Sequence, residues 1–252
     1  MNIGITILAT NAYFVLGLRF IRRFVHFYKG DSNITFYFFS DKNPKQYLPG
    51  VKVDIKYFHT TNKRWVDGTN LKFRSVLSIP TIESDYLFYF DADTNINIDF
   101  DDSWFIGDMV GGQHFDDQGR MKEFKPYDRN PRSKAFIPTD TELPQMYYLG
   151  AFFGGTTANV IKFCRTMVSY QQEDKLVLNY EPAVNDESYI NKEFHYNPPT
   201  KVVMFKDFKF SISDKGGLGN TRRMDMNISG LEQLILSLQG GLFDIVNGKI
   251  VV

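Results

Sequence analysis

The run Tyr86-Leu87-Phe88-Tyr89-Phe90 constrains this chain more than any other segment. Consecutive large apolar and aromatic residues cannot alternate between core and water, so they predict a strand buried on both faces in the middle of a sheet. Such a strand needs helices packed over it, and the neighbouring segments supply them. Strand-like stretches at 3–8, 33–39 and 51–58 alternate with helical ones at 13–28 and 70–82, an order that predicts an α/β sandwich. In the first helix Phe14, Leu18, Ile21 and Val25 recur at spacings of three and four, which predicts the core face, while Arg19, Arg22 and Arg23 fall mostly on the wet one.

A chain of 252 residues with 43% hydrophobic and 16% aromatic content can bury a substantial core without a second domain. Its 29 basic and 29 acidic residues leave no global field to hold a nucleic acid or an anionic membrane, so any basic site is local. The single cysteine, Cys164, excludes an intrachain disulfide and sits in an apolar run that predicts a buried structural thiol. Residues 1–8 are too short to span a bilayer and lack the basic head and cleavage site of a signal peptide. No later stretch approaches the roughly 20 apolar residues that spanning needs, so the expectation is a cytoplasmic protein, free or peripheral to a membrane.

From 115 to 146 the chain is rich in Asp, Arg, Lys and Pro, yet Phe124, Tyr127 and Phe136 can anchor it as a long ordered loop. A strand is expected at 146–149, then a turn punctuated by Gly150, Gly154 and Gly155, where a ligand can approach the backbone closely, then a helix at 157–171. Ser229-Gly230-Leu231-Glu232 is a capping box that opens a helix to about 238. Two β-prone runs flank Asn247-Gly248, the signal of a type I′ hairpin that packs on the domain or on a partner subunit, so that an oligomer could form through this helix and hairpin.

Asp91-Ala92-Asp93 follows the buried strand, and the i, i+2 spacing lets both carboxylates turn toward one site. Two readings stand here. The pair is either solvated loop carboxylates or a hard-oxygen site for Mn²⁺ or Mg²⁺ carrying phosphate, and its position after a central strand favours the second. Asp186 and Glu187, at the start of an apparent helix at 187–193, read either as a cap and a favourable dipole partner or as carboxylates serving an anomeric carbon. His114 reads equally as a structural hydrogen-bonder or a substrate contact, and Tyr13, Trp65 and Tyr148 as core or rim aromatics before stacking platforms.

Taken in order, a set of segments resembles the retaining α-1,3-galactosyl- and N-acetylgalactosaminyltransferase family that includes the histo-blood-group A and B enzymes. They are Ile3 to Thr10 with Tyr13; Arg64-Trp65-Val66-Asp67; Asp85-Tyr86-Leu87 leading to Asp91-Ala92-Asp93; Tyr127-Asp128-Arg129 with Ala135-Phe136-Ile137-Pro138; Tyr147-Tyr148-Leu149-Gly150-Ala151-Phe152-Phe153-Gly154-Gly155; Asp186-Glu187-Ser188 with Asn191-Lys192; and Pro199-Thr200-Lys201-Val202. The resemblance implies a GT-A type fold, a single α/β domain with a mixed central sheet flanked by helices, and a UDP-sugar donor with retention of anomeric configuration. It implies that Leu8, Ala9, Thr10 and Tyr13 line the uridine site and that Asp91 and Asp93 bind Mn²⁺ and the diphosphate. Lys72 stands where the family usually has an arginine near the donor. By the same resemblance His114 faces the acceptor, Leu149, Gly150 and Ala151 flank the donor sugar, Asp186 hydrogen-bonds it, and Glu187 sits beneath its anomeric carbon.

Some bacterial relatives replace both aspartates with asparagine and work without metal; this chain keeps them, so metal dependence is expected. Leu149 matches the N-acetylgalactosamine-using pattern and Ala151 the galactose-using one, and the methyl of Ala151 crowds an acetamido group, which favours galactose. Val184 and Asn185 replace the acceptor-touching Trp-His of mammalian members, so the expected oligosaccharide or glycolipid acceptor is not a fucosylated mammalian one. Beyond about 205 the likeness fades, and Lys215, Arg222 and Arg223 stand in by charge alone for a basic tail over the diphosphate. The rival functions are a metal-dependent nucleotidyltransferase and a non-catalytic UDP-sugar or glycan-binding module.

Overall fold

The computed structural model describes residues 1–61, 65–113, 127–138, 146–182, 184–204, 244–246 and 249–251. Seven strands form one mixed sheet: β1 (Asn2–Leu8), β2 (Asn33–Ser40), β3 (Asp54–His59), β4 (Tyr86–Asp91), β5 (Met109–Gln113), β6 (Tyr148–Thr156) and β7 (Lys201–Met204), in the order β3-β2-β1-β4-β6-β5-β7. Strands β1 to β4 run parallel, β6 runs antiparallel to both β4 and β5, and β7 is parallel to β5. The helices are α1 (Tyr13–Phe27), α2 (Trp65–Leu77), α3 (Thr157–Glu173) and α4 (Asn185–Tyr196).

The aromatic run is the central strand β4, and it is covered on both faces. Phe88 and Phe90 join Phe20, Phe24 and Phe105 in one core layer, while Leu87 and Tyr89 join Phe73, Phe153 and Phe163 in the other. Each fully buried side chain of this size contributes about 1.5–3 kcal/mol relative to exposure, so the strand is held by what packs above and below it more than by its ladder. Cys164 is buried in the second layer, where burial pushes its thiol well above the ordinary range.

Several expectations shift. Helix α2 begins and ends about five residues earlier than 70–82. Ile79 precedes Pro80, whose ring disfavours helical geometry in the residue before it, so the chain leaves the helix through a turn in which Ser78 N–H donates to Arg74 and Ser75. In α1, Val25 is exposed, whereas Arg19 and Arg22 are buried. These guanidinium groups donate to backbone carbonyls of loops folded over the helix, Arg19 to Asp93 at 3.1 Å and Arg22 to Tyr47 at 3.1 Å. Helix α4 starts at Asn185, so Asp186 lies in its first turn and not at its cap. In the second half, β7 and a π-helical turn at Asp174–Leu178 are elements that periodicity did not announce.

The glycine-punctuated turn after 149 is instead strand, since β6 runs unbroken to Thr156. Gly154 pairs with Phe88, and a Cβ there would fall 1.9 Å from the Phe88 ring. The glycine clears a seat for an aromatic side chain inside the sheet.

In the described part of the long loop, 127–138, the expected anchor Tyr127 is buried with Ile137 against Tyr147 and Phe136 is half-buried, while Phe124 lies outside the described residues. Strands β8 (Asp244–Val246) and β9 (Lys249–Val251) pair antiparallel as the predicted hairpin arms, while the Asn247-Gly248 turn and the helix expected from 229 lie outside the described residues. Among the described residues no helix is long and apolar enough to cross a membrane.

Gly154→Val should lower folding stability by about 1–3 kcal/mol, because the branched side chain overpacks the seat of Phe88; an unchanged urea midpoint would contradict this packing.

Candidate active site

Strands β1 and β4 are parallel neighbours that end level, Leu8 opposite Asp91. The chain leaves β1 toward β2 on one side, while β4 lies on the other, so a crevice opens between their carboxyl ends where open α/β sheets bind ligands. Leu8, Ala9 and Thr10 are buried along one lip, and Tyr13 follows, half-buried, on the first turn of α1. Ser40 Oγ donates to the Ala9 carbonyl and Ala9 N–H to Phe39 at 2.8 Å, which fixes the lip against β2. Asp91, Asp93, Lys72, Gly150, Asp186 and Glu187 gather on the other side.

Lys72 holds that side together. Its ammonium, reaching from α2 and 2% exposed, lies 3.3 Å from Asp91 Oδ1, 2.7 Å from Asp186 Oδ2 and 2.9 Å from the Gly150 carbonyl. Burial disfavours the charged amine, but the negative charges of Asp186 and Asp91 outweigh it and hold Lys72 above its ordinary range. Burial also pushes the Asp186 carboxyl up to about 6, against the pull of Lys72. Tyr89, beneath the ammonium with its ring centroid 5.1 Å away, donates its hydroxyl to Asp91 Oδ1 at 2.9 Å.

Gly150 is the pivot between strand and helix. Its carbonyl accepts from Lys72, and its N–H donates to Glu187 Oε2 at 2.8 Å. A Cβ at this position would come within 2.9 Å of Asp186 Oδ2 and 3.3 Å of Glu187 Oε2. Only glycine lets the first turn of α4 approach β6 this closely. Leu149 and Ala151, its neighbours on β6, point the other way and are buried.

Residues 1–209 match the family model for glycosyltransferase family 6. The chain belongs to this family. Among curated relatives it is 31% identical over 222 residues to globoside α-1,3-N-acetylgalactosaminyltransferase 1 of Gallus gallus, an alignment covering 81% of this chain and 60% of that protein. Against histo-blood group ABO system transferase 2 of Rattus norvegicus the figures are 26% over 209 residues, 80% and 61%. Against the O-antigen biosynthesis glycosyltransferase WbnI of Escherichia coli they are 25% over 170 residues, 65% and 69%. The chain thus spans about three fifths of the first two relatives' length.

A divalent cation at the aspartate pair is what the likeness to family 6 suggests, and the residues fit one. Asp91 keeps 34% of its side chain exposed, and Lys72 and Tyr89 both engage its Oδ1. The Asp93 carboxyl is pushed up to about 6 by the surrounding protein and by the charge of Asp91, with Arg19 and Lys72 opposing. Two crowded carboxylates of this kind gain from a hard cation. Among the described residues no group of three or more His, Cys, Asp or Glu side chains could cage a metal by itself. A cation held by such a pair would complete its shell with water and phosphate.

His114, Lys215, Arg222 and Arg223 lie outside the described residues. Four residues with no role in the sequence reading belong to the site: Arg19, which anchors the Asp93 carbonyl; Tyr89; Tyr147, against Glu187; and Asn191, which donates to the Glu187 carbonyl at 2.9 Å. Two of them carried a signal: Tyr147 opens one of the segments that carry the resemblance, and Asn191 stands four residues after Glu187 on the same helical face.

Lys72→Met should cost about 3–5 kcal/mol of stability at pH 7.5, because it strands buried carboxylates without their counter-charge. The folded Asp186 carboxyl titrates near 6, above its unfolded value, so its charge opposes folding above that pH and the opposition fades as pH falls. Urea denaturation should therefore show a smaller gap between variant and wild type at pH 5, and a pH-independent gap would contradict the ion pair.

Proposed function

We propose that this chain is a retaining hexosyltransferase that moves galactose, or a closely related hexose, from a UDP-sugar to a glycan acceptor with the help of a divalent cation. The observation that carries this reading is the convergence on one lysine of a strand-end carboxylate and a helix-start carboxylate at the switch point of the sheet, with a second helix-start carboxylate held alongside by the Gly150 N–H. A diphosphate and a sugar ring span such a pair of carboxylate groups. Family membership supports the donor class, and the activities that name the relatives, transfer of N-acetylgalactosamine and synthesis of O-antigen, support a glycan acceptor.

In this reading Leu8, Ala9, Thr10 and Tyr13 receive the uridine, and Asp91 with Asp93 hold the cation. Mn²⁺ or Mg²⁺ bound there would supply the positive charge that neutralises a diphosphate leaving group. Lys72 holds Asp91 and Asp186 in register, and Asp186 takes a sugar hydroxyl. Glu187, with Oε2 fixed by Gly150, serves the anomeric carbon either as nucleophile or as the counter-charge of an oxocarbenium-like centre. Ala151 beside the sugar favours galactose over N-acetylgalactosamine by crowding the acetamido group. The acceptor is a cell-surface polysaccharide or a lipid-linked glycan met on the cytoplasmic side.

The test is Mn²⁺-stimulated release of UDP from UDP-galactose and UDP-N-acetylgalactosamine. Release of UDP, faster from UDP-galactose and suppressed by EDTA, is expected; pyrophosphate as product would favour a nucleotidyltransferase, and saturable UDP binding without turnover a binding module. The Asp91→Asn, Asp93→Asn variant should lose both turnover and the rise in melting temperature that Mn²⁺ gives the wild type. Glu187→Gln should retain UDP binding by calorimetry while its turnover falls roughly 100-fold or more; wild-type turnover would remove Glu187 from the reaction.

A further inference from the structure

Glu187 stands on the first turn of α4. A flexible carboxylate at a helix end does not place itself, yet a group acting on an anomeric carbon must be held to within about 0.5 Å. We propose that Tyr147, which immediately precedes strand β6, and Asn191, four residues further along α4, are positioning residues for Glu187, the first gripping its side chain and the second its backbone. The inference rests on the reading that Glu187 serves the anomeric centre.

Tyr147 immediately precedes β6 and is 3% exposed. Its ring packs 5.5 Å from that of Tyr127, and its phenol lies against the Glu187 carboxylate. Burial first, and the charge of Glu187 second, push the phenol far above its ordinary range. It therefore stays protonated and faces a charged Glu187 as a donor. With the Gly150 N–H at 2.8 Å from Oε2, β6 offers that carboxylate a backbone donor and a side-chain donor three residues apart.

Asn191 fixes the other end of the residue. Its carboxamide takes both main-chain groups of Tyr148, accepting from N–H at 2.8 Å and donating to the carbonyl at 2.8 Å, as a neighbouring strand would. The same Nδ2 donates to the Glu187 carbonyl at 2.9 Å. Asn191 is 2% exposed, so each of these bonds is sheltered from water. The helix turn that carries Glu187 is thereby locked to the strand that carries Leu149 and Ala151.

Tyr147 is itself backed by a stapled loop. Asp174, 1% exposed, accepts from Ser133 Oγ at 2.7 Å, Lys134 N–H at 2.8 Å and Tyr189 hydroxyl at 3.0 Å, while Asp128 accepts from Tyr180 at 2.7 Å. These bonds hold the segment 127–138 so that Tyr127 and Ile137 press on Tyr147. The ring that meets Glu187 has little room to turn.

A double-mutant cycle with Glu187→Gln tests the proposal, using UDP release from UDP-galactose with Mn²⁺, the donor KM and the urea midpoint. Tyr147→Phe removes one hydroxyl and should lower kcat roughly 10- to 100-fold, with KM within twofold of wild type. In the Glu187→Gln background the same substitution should change kcat by less than twofold, since the group it positions is already gone. Asn191→Ala should follow the same pattern, and if that variant does not fold, Tyr147→Phe decides alone. A Tyr147→Phe enzyme with wild-type kcat, or one whose loss persists undiminished in the Glu187→Gln background, overturns the proposal. Wild-type kcat in Glu187→Gln alone would overturn the assignment of Glu187, and this inference with it.

Discussion

One buried ammonium sets the geometry of the crevice. Lys72 leaves the middle of α2 and reaches an oxygen of β4, one of β6 and one of α4. An ammonium has three donors and no acceptor, and here each donor has an oxygen within reach. Removing a charge from water costs several kcal/mol, which the arrangement offsets only because both carboxylates and a carbonyl converge on the same point. The family usually has an arginine near here, and a planar fork grips one carboxylate in two places; the compact ammonium instead links partners on three separate elements. The carboxylate side of the crevice is therefore a single electrostatic unit.

Strand β6 turns that unit into a site. Its antiparallel course between β4 and β5 brings Gly150 beside Asp91 and leaves room for the first turn of α4. The residues expected to read the donor sugar, Leu149 and Ala151, share this strand with the backbone groups that hold Lys72 and Glu187. In the proposed reading, sugar discrimination and the placement of Glu187 both depend on this one strand. A change in strand register would disturb both together.

Much of the fold was legible because its signals are local. The buried run at 86–90, the apolar stripe of α1 and the Asn-Gly hairpin each declare themselves within a few residues. The boundaries and faces were less legible. Arg19 and Arg22 look like a wet face until loops fold over the helix, and Gly154 and Gly155 look like a turn until Phe88 is seen seated on Gly154. In each case the deciding contact comes from a residue far away along the chain.

The same division holds for the site. Sequence alone singled out the candidates for its chemistry: Asp91 and Asp93 after a central strand, Asp186 and Glu187 at a helix start, and a glycine between Leu149 and Ala151. Tertiary structure alone decided that Lys72 pairs with Asp91 and Asp186, that Gly150 is needed for close approach to α4, and that Tyr147 and Asn191 surround Glu187. The reason is physical: periodicity records which way a side chain points from its own element, whereas a shared charge or a sterically required glycine depends on what another element brings to meet it.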